Sequence, residues 1–326
     1  MERAAAPPVI DFHTHFLVQE VFDRCHSHSV ASGFGHHQAP PHLLPLFEKM
    51  KDPRRAIEDM DRLGIGMSVL SSATVIEPTS WAEPSAELEL VRRLNETVAG
   101  WAARSPQRVI GSFVLPLQDM GLALTEFTRA VDQLGLKVVN IPSEVRGVYL
   151  GDPKFRPFWE AVADRGVTAF MHPEGGKCPW FQQYGMWNSI GQSLEEAKFM
   201  ASIIYEGVLE SFPKLKIVMA HGGGYFPHNM GRLDRNVKNA PQSMKNISRK
   251  PSEYLRNVYY DTCLFDPGVL RSLLKIVGPD RLTLGSDYPV GEADPVNFVR
   301  NCPDISDAEK RMILGGNAAG LLGMAG

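Results

Sequence analysis

Near the start of the chain, Asp11-Phe12-His13-Thr14-His15 closes a short apolar run. In an extended strand alternate side chains share a face, so His13 and His15 point the same way. Two imidazoles placed like this suit a single divalent cation. A His-x-His pair alone reads equally well as two polar residues at a strand end. Further along, His172 follows Thr168-Ala169-Phe170-Met171. His221 follows Ile217-Val218-Met219-Ala220 and precedes Gly222, Gly223 and Gly224, whose bare backbone lets a chain pass close to a ligand. Asp287 stands in Leu284-Gly285-Ser286-Asp287-Tyr288-Pro289. Any one of these histidines, taken singly, is more often structural than a ligand. Their joint placement, each at the end of an apolar run, argues for a metal centre. An aspartate there can bind the ion, take a proton, or do both in turn.

The elements that must hold these residues follow from hydrophobic patterning. Short apolar runs recur at 9–12, 67–71, 109–115, 137–141, 167–171, 216–220, 258–261 and 281–285. Most are continuous rather than alternating, as strands buried on both faces of a parallel sheet are. Helical patterns lie between them at 53–63, 84–104, 121–134, 155–165, 194–212 and 267–277. A last helix over 306–322 opens on Ser306 with Glu309 three residues later, a capping-box spacing. Strands and helices alternating eight times predict an α/β protein of the (β/α)8 TIM-barrel type, with an open doubly wound sheet as the structural alternative. Three stretches exceed a minimal barrel: residues 16–50 after strand 1, 173–193 after strand 5, and a polar linker over 238–253. The expected organisation is one domain over 1–326, with 16–50 as a lid or small subdomain. The first two insertions follow the C-terminal ends of strands, where barrel active sites lie.

Composition narrows the partners. The chain has 326 residues and a formal net charge of −3, with no basic run of the kind a nucleic-acid footprint needs. No stretch approaches the ~18 apolar residues of a membrane helix, and the first residues lack the apolar segment of a secretory signal. Neither nucleic acid nor membrane is expected as a partner, and the cytoplasm is the expected compartment. Cys25, Cys178, Cys263 and Cys302 are widely spaced and read as free thiols.

The stretches HTHF from His13, MHPEGG from Met171, AHGGGYFPHNMGRLDR from Ala220 and LGSDYP from Leu284 resemble the amidohydrolase superfamily. Within it the chain looks like the aminocarboxymuconate-semialdehyde decarboxylase branch, the Gly-rich run ending in Gly231-Arg232 being the most specific part. The resemblance spans the chain and implies a metal-dependent hydrolase-type barrel. It implies His13, His15, His172 and Asp287 as metal ligands and His221 as the base that deprotonates metal-bound water, with His221 and Asp287 as the catalytic pair. It implies Arg232, delivered from a neighbouring subunit, as the grip on a substrate carboxylate, and Trp187 as an aromatic beside the substrate. The residues themselves read Arg232 as a helix-surface ion pair and Trp187 equally as a loop anchor. The implied activity is non-oxidative decarboxylation of an aromatic or conjugated unsaturated carboxylic acid, in a homodimer or homotetramer. The alternative is a metal-dependent hydrolase or hydratase of a related acid on the same site. Zinc is the expected ion, because imidazole predominates, with manganese as the alternative.

Departures from the family pattern shape these expectations. Binuclear members carry a carboxylated lysine at the end of strand 4. Here that strand ends Val139-Asn140-Ile141-Pro142, and Lys137 stands at its start, so one ion is expected. A second carboxylate-gripping arginine has no secure match, although Arg54 and Arg55 are near. His26, His28, His36, His37 and His42 cluster in the first insertion and read as lid histidines before a second metal site. Ser71, Ser72 and Thr74 are candidates for pocket lining or loop capping. Asp261, Glu174 and Tyr288 are candidate partners of the metal-bound imidazoles.

Overall fold

The computed structural model describes residues 7–33 and 41–324, so His36 and His37 lie outside the described residues. Eight parallel strands form the barrel wall: β1 (Ile10–Phe16), β2 (Met67–Ser72), β3 (Val109–Phe113), β4 (Val138–Ile141), β5 (Thr168–Met171), β6 (Lys216–Met219), β7 (Tyr259–Asp261) and β8 (Leu282–Thr283). Each pairs with its neighbour in sequence order. The ring closes where the Phe12 N–H donates to the Leu284 carbonyl at 2.8 Å and Thr14 bridges Tyr288 in parallel. The closed (β/α)8 barrel predicted from the alternating pattern is the observed fold.

Burial on both strand faces has two destinations. Ile10, Phe12, Val69, Val138, Phe170 and Val218 point inward and fill the floor of the barrel. Their neighbours Val139, Ala169, Met171, Ile217 and Met219 point outward against Leu94, Val98, Phe127, Trp159 and Phe199 of the surrounding helices. Polar inward positions, Ser71, Ser112 and Asn140 among them, begin above that apolar floor, toward the C-terminal ends of the strands.

The helices follow their capping chemistry. Those predicted over 53–63, 84–104 and 267–277 are observed as Pro53–Leu63, Pro84–Arg104 and Pro267–Val277, each with proline in its first turn, where a missing N–H costs nothing. Two expectations change. The single helix over 194–212 is two, Gly191–Tyr205 and Val208–Ser211, because Gly207 at φ 72° takes the left-handed conformation that ends an α-helix. The closing helix keeps its Ser306–Glu309 capping box but passes through a π-helical turn at Met312–Gly316. The 238–253 linker carries a short 3-10 turn, Pro241–Met244, and leads into a second, Pro251–Asn257. Among the described residues no helix is long and apolar enough to cross a membrane.

The first insertion has a small core of its own, in which Leu17, Phe47 and Met50 pack on Ala73 and Ile76 of the loop after β2. Beneath it lies Glu77, fully buried, accepting from the Ser72 hydroxyl at 2.9 Å and the Val18 N–H at 3.3 Å. Burial pushes its carboxyl from 4.5 up to about 8. Because the folded-state value is raised, the folded chain keeps this proton where the unfolded chain has lost it. Its stabilising contribution is complete below about 4.5 and is lost as pH rises through about 8. Glu77→Gln is expected to gain stability relative to wild type between pH 5 and pH 8.5, by on the order of 1 kcal/mol per pH unit across that window. Denaturant melts of both proteins at the two pH values check this, and a gap independent of pH would refute it.

Candidate metal centre

His13 and His15 reach the barrel mouth because β1 carries a bulge. Its register with β2 runs Asp11 opposite Ser68 and then Thr14 opposite Leu70, so one extra residue is inserted. Phe12 faces the floor, and the bulge lets His13 share that interior face, with His15 two residues on. Bulges of this kind re-aim side chains beside active sites. His172 follows β5 directly, its N–H donating to the Ile141 carbonyl at 3.0 Å. His221 and Asp287 both sit in left-handed backbone, at φ 47° and 58°. Such conformations cost on the order of 1–3 kcal/mol each in non-glycine residues and collect at functional sites.

The side chains converge. The Nε2 atoms of His13 and His15 are 3.2 Å apart, and both face Asp287 Oδ1, at 3.2 and 2.9 Å. The ring centroid of His172 lies 4.9 Å from that of His13 and 4.8 Å from that of His15. His221 Nε2 is 3.7 Å from Asp287 Oδ2. Donor atoms of His13, His172, His221 and Asp287 all lie within 4.8 Å of one another. All five residues predicted from the strand ends therefore meet in one place, and the set offers more donors than a four-coordinate ion needs.

The surroundings fit a divalent cation. His13 and His172 are almost fully buried, and neither ring nitrogen of His172 has a hydrogen-bond partner among the described residues. An orphaned buried imidazole is costly unless something fills the space before it. Burial holds the His15 imidazole below its usual value and His172 well below, so both are neutral and carry lone pairs. Burial would raise Asp287, but His13, His15 and His221 outweigh it and hold the carboxyl well below the ordinary range. For His13 burial also acts downward, yet the carboxylates of Asp287 and Asp261 carry it up to about 9. The imidazoles of His13 and His15 facing one shared carboxylate oxygen, with His172 beside them, form the nitrogen-and-oxygen donor set that zinc and manganese accept.

Partners of these residues come from neighbouring elements. Asp261, at the end of β7, contacts His13 Nδ1 at 2.5 Å through Oδ2, while Oδ1 accepts the Gly222 and Cys263 N–H groups at 3.1 Å. It turns the His13 ring and ties down the glycine run. Glu196, which sequence reasoning passed over, lies 2.6 Å from His221 Nδ1. Tyr288 points away, its hydroxyl donating to Asp59 at 2.8 Å. Glu174 pairs with Lys177 at 3.0 Å and touches none of the imidazoles. Ser71 bonds Ser112 through their hydroxyls at 2.9 Å. Ser72 caps Glu77, and the Thr74 hydroxyl is buried without a partner among the described residues.

Arg232 lies on the helix Met230–Asn239, exposed, with no carboxylate in ion-pair range among the described residues. The helix-surface ion pair that the residues themselves suggested is not formed among the described residues, and nearby Asp234 accepts from the Ser252 hydroxyl at 2.6 Å and its N–H at 3.0 Å. The Trp187 ring is half-buried against Gly175, in the loop after β5. Arg54 pairs with Asp52 at the surface. His26 is buried and stacks on Phe22, while the exposed His28 stacks on Trp81 with centroids 3.9 Å apart. Two of the lid histidines are thus engaged with aromatic neighbours.

The amidohydrolase family profile matches residues 10–324. A 2-amino-3-carboxymuconate-6-semialdehyde decarboxylase from Dictyostelium discoideum is 32% identical over 84% of this chain and 77% of its own length. The crystal structure of 5-carboxyvanillate decarboxylase from Sphingomonas paucimobilis superposes with a TM-score of 0.87 at 27% identity, over 98% of this chain and all of the other. A dihydroxybenzoic acid decarboxylase from Polaromonas sp., solved with manganese and 2-nitroresorcinol, superposes with a TM-score of 0.83 at 26% identity, over 98% of this chain and 97% of its own.

Proposed function

The chain belongs to the amidohydrolase family, and we propose that it acts as a metal-dependent, non-oxidative decarboxylase of an aromatic or conjugated carboxylic acid. The observation that carries this reading is the convergence of His13 and His15 on one oxygen of Asp287, beside a His172 ring without a partner among the described residues, in a chain whose relatives include decarboxylases. His13, His15, His172 and Asp287 would hold the ion. When bound, it would supply a Lewis-acidic charge that polarises a substrate oxygen.

The remaining steps fall to the chain's own residues. His221 Nε2 delivers a proton to the ring carbon that bears the carboxylate, with Asp287 beside it to support the charge. The C–C bond to the carboxylate then breaks, its electron pair returns to the ring, conjugation is restored and carbon dioxide leaves. Arg232 neutralises and orients the carboxylate through charge-assisted hydrogen bonds, contributed by a second copy of the chain. Its exposure and lack of a local partner support that reading. Trp187 packs beside a planar substrate, and the insertion over 16–50 covers the mouth against water. Zinc as the ion, a homodimer or homotetramer as the assembly and the cytoplasm as the compartment complete the proposal.

The test uses carboxyl-labelled 2,6-dihydroxybenzoate, 5-carboxyvanillate and 2-amino-3-carboxymuconate-6-semialdehyde with the metal-loaded protein. The expected result is labelled carbon dioxide equal to the acid consumed for at least one of them. In heavy water, one deuteron should appear at the carbon that lost the carboxylate. Consumption without released carbon dioxide would put hydration or hydrolysis in its place, and no turnover of any of the three would remove the substrate class.

A further inference from the structure

His221 is held by an acid that belongs to neither the family motif nor the strand ends. Glu196 lies on the helix Gly191–Tyr205 and is fully buried. Its Oε1 is 2.6 Å from His221 Nδ1, and its Oε2 has no hydrogen-bond partner among the described residues. Among the described residues no arginine or lysine is paired with it, and the imidazole is the group that rewards its burial. The glycine run is shaped to admit it. A Cβ on Gly224, which sits at φ 61°, would come within 2.7 Å of Glu196 Oε2 and 2.4 Å of the Ser193 carbonyl. His221, Gly222, Gly223 and Gly224 all have positive φ, and this winding turns Nδ1 toward the helix while Nε2 faces Asp287.

We propose that Glu196 is the positioning residue for His221. It accepts the Nδ1 proton, leaves Nε2 as the nitrogen that takes up and delivers the catalytic proton, and prevents the ring from turning. The third member of a hydrolytic triad acts in this way, and placing the proton on the wrong nitrogen there costs several orders of magnitude in rate. The inference rests on the acid–base role proposed above for His221. Burial pushes the Glu196 carboxyl up to about 7. A carboxylate 2.6 Å from Nδ1 also supports the ring when it is charged.

The experiment combines kinetics with a direct reading of the tautomer. In zinc-loaded protein with ¹⁵N-labelled histidine, the His221 signals, assigned by their loss in His221→Ala, should show the proton on Nδ1. A His221 Nδ1 that carries no proton overturns the proposal whatever the activity. Glu196→Gln should lower kcat by about 100-fold with KM changed less than threefold and zinc content unchanged, and Glu196→Asp should recover part of the loss. The double variant His221→Ala/Glu196→Gln should be no slower than His221→Ala alone, because the two act as one unit. Multiplicative losses, or a Glu196→Gln variant that melts earlier but turns over normally, mark a purely structural acid and overturn the proposal. Full activity in His221→Ala would instead remove the proposed role of His221, and the tautomer measurement would then decide Glu196 alone.

Discussion

Asp287→Asn is expected to leave a folded protein that no longer retains its metal ion and has lost at least about 1,000-fold in turnover. Asparagine keeps the shape of the side chain and tolerates the left-handed backbone at φ 58° as well as aspartate does, so the change is one of charge. The charge matters because this carboxylate faces the Nε2 atoms of both His13 and His15 and lies 3.7 Å from His221. An amide nitrogen turned toward those lone pairs would compete with the ion, and an amide oxygen would attract it far less. The rate loss corresponds to the several kcal/mol that a Lewis acid contributes to a charged transition state. Metal content after dialysis, measured by plasma mass spectrometry, should fall from about one ion per chain to a small fraction. The thermal stabilisation that added zinc gives the wild type should vanish with it, because ligand binding stabilises only through the folded state that holds it. A variant that keeps one ion and normal turnover would remove Asp287 from the centre.

The candidate site is largely legible in the sequence for a geometric reason. In a parallel barrel the residue that follows each buried strand is fixed at the catalytic rim by the strand itself. His172 after Thr168–Met171, and Asp287 three residues beyond Leu284, needed only the strand ends to be found. His13 and His15 were legible as a pair that shares a face, but the extra residue that brings them inside together with Phe12 was not, since a bulge leaves no mark in an apolar run. The break at Gly207 could have been read, because a glycine inside a helical pattern is a candidate stop. Glu196 also left a trace. With Phe199, Met200, Ile203 and Ile204 it forms the buried stripe of its helix, and an acid on an apolar stripe asks for a partner. What no pattern could supply was the identity of that partner, which is 25 residues away and reached only through a loop of positive-φ residues. Asp261 was legible as a candidate partner of the imidazoles from its place at a strand end, but that it meets His13, 248 positions away, was not.

His221→Ala is expected to retain the metal while losing about 10² to 10⁴ in kcat, the range a positioned acid–base group supplies. The geometry makes this an informative substitution, because five side chains crowd a centre that needs four. His221 Nε2 is 3.7 Å from the nearer oxygen of Asp287, against 2.9 Å for His15, and its other nitrogen is taken by Glu196. His15 has a neutral ring and an Nδ1 without a partner among the described residues, as suits a ligand. The two histidines should therefore separate cleanly. His15→Ala loses the ion and the activity together, and added zinc restores little of either. His221→Ala holds about one ion per chain through dialysis and binds substrate with KM near that of wild type, yet it turns over slowly. Its deuterium exchange into product should slow in step with kcat, since proton delivery is the function removed. Added imidazole should restore part of the rate through the space the side chain vacates. If His221→Ala instead loses its ion while His15→Ala keeps it, the ligands are His13, His172, His221 and Asp287, and the proton donor must be sought elsewhere around the ring.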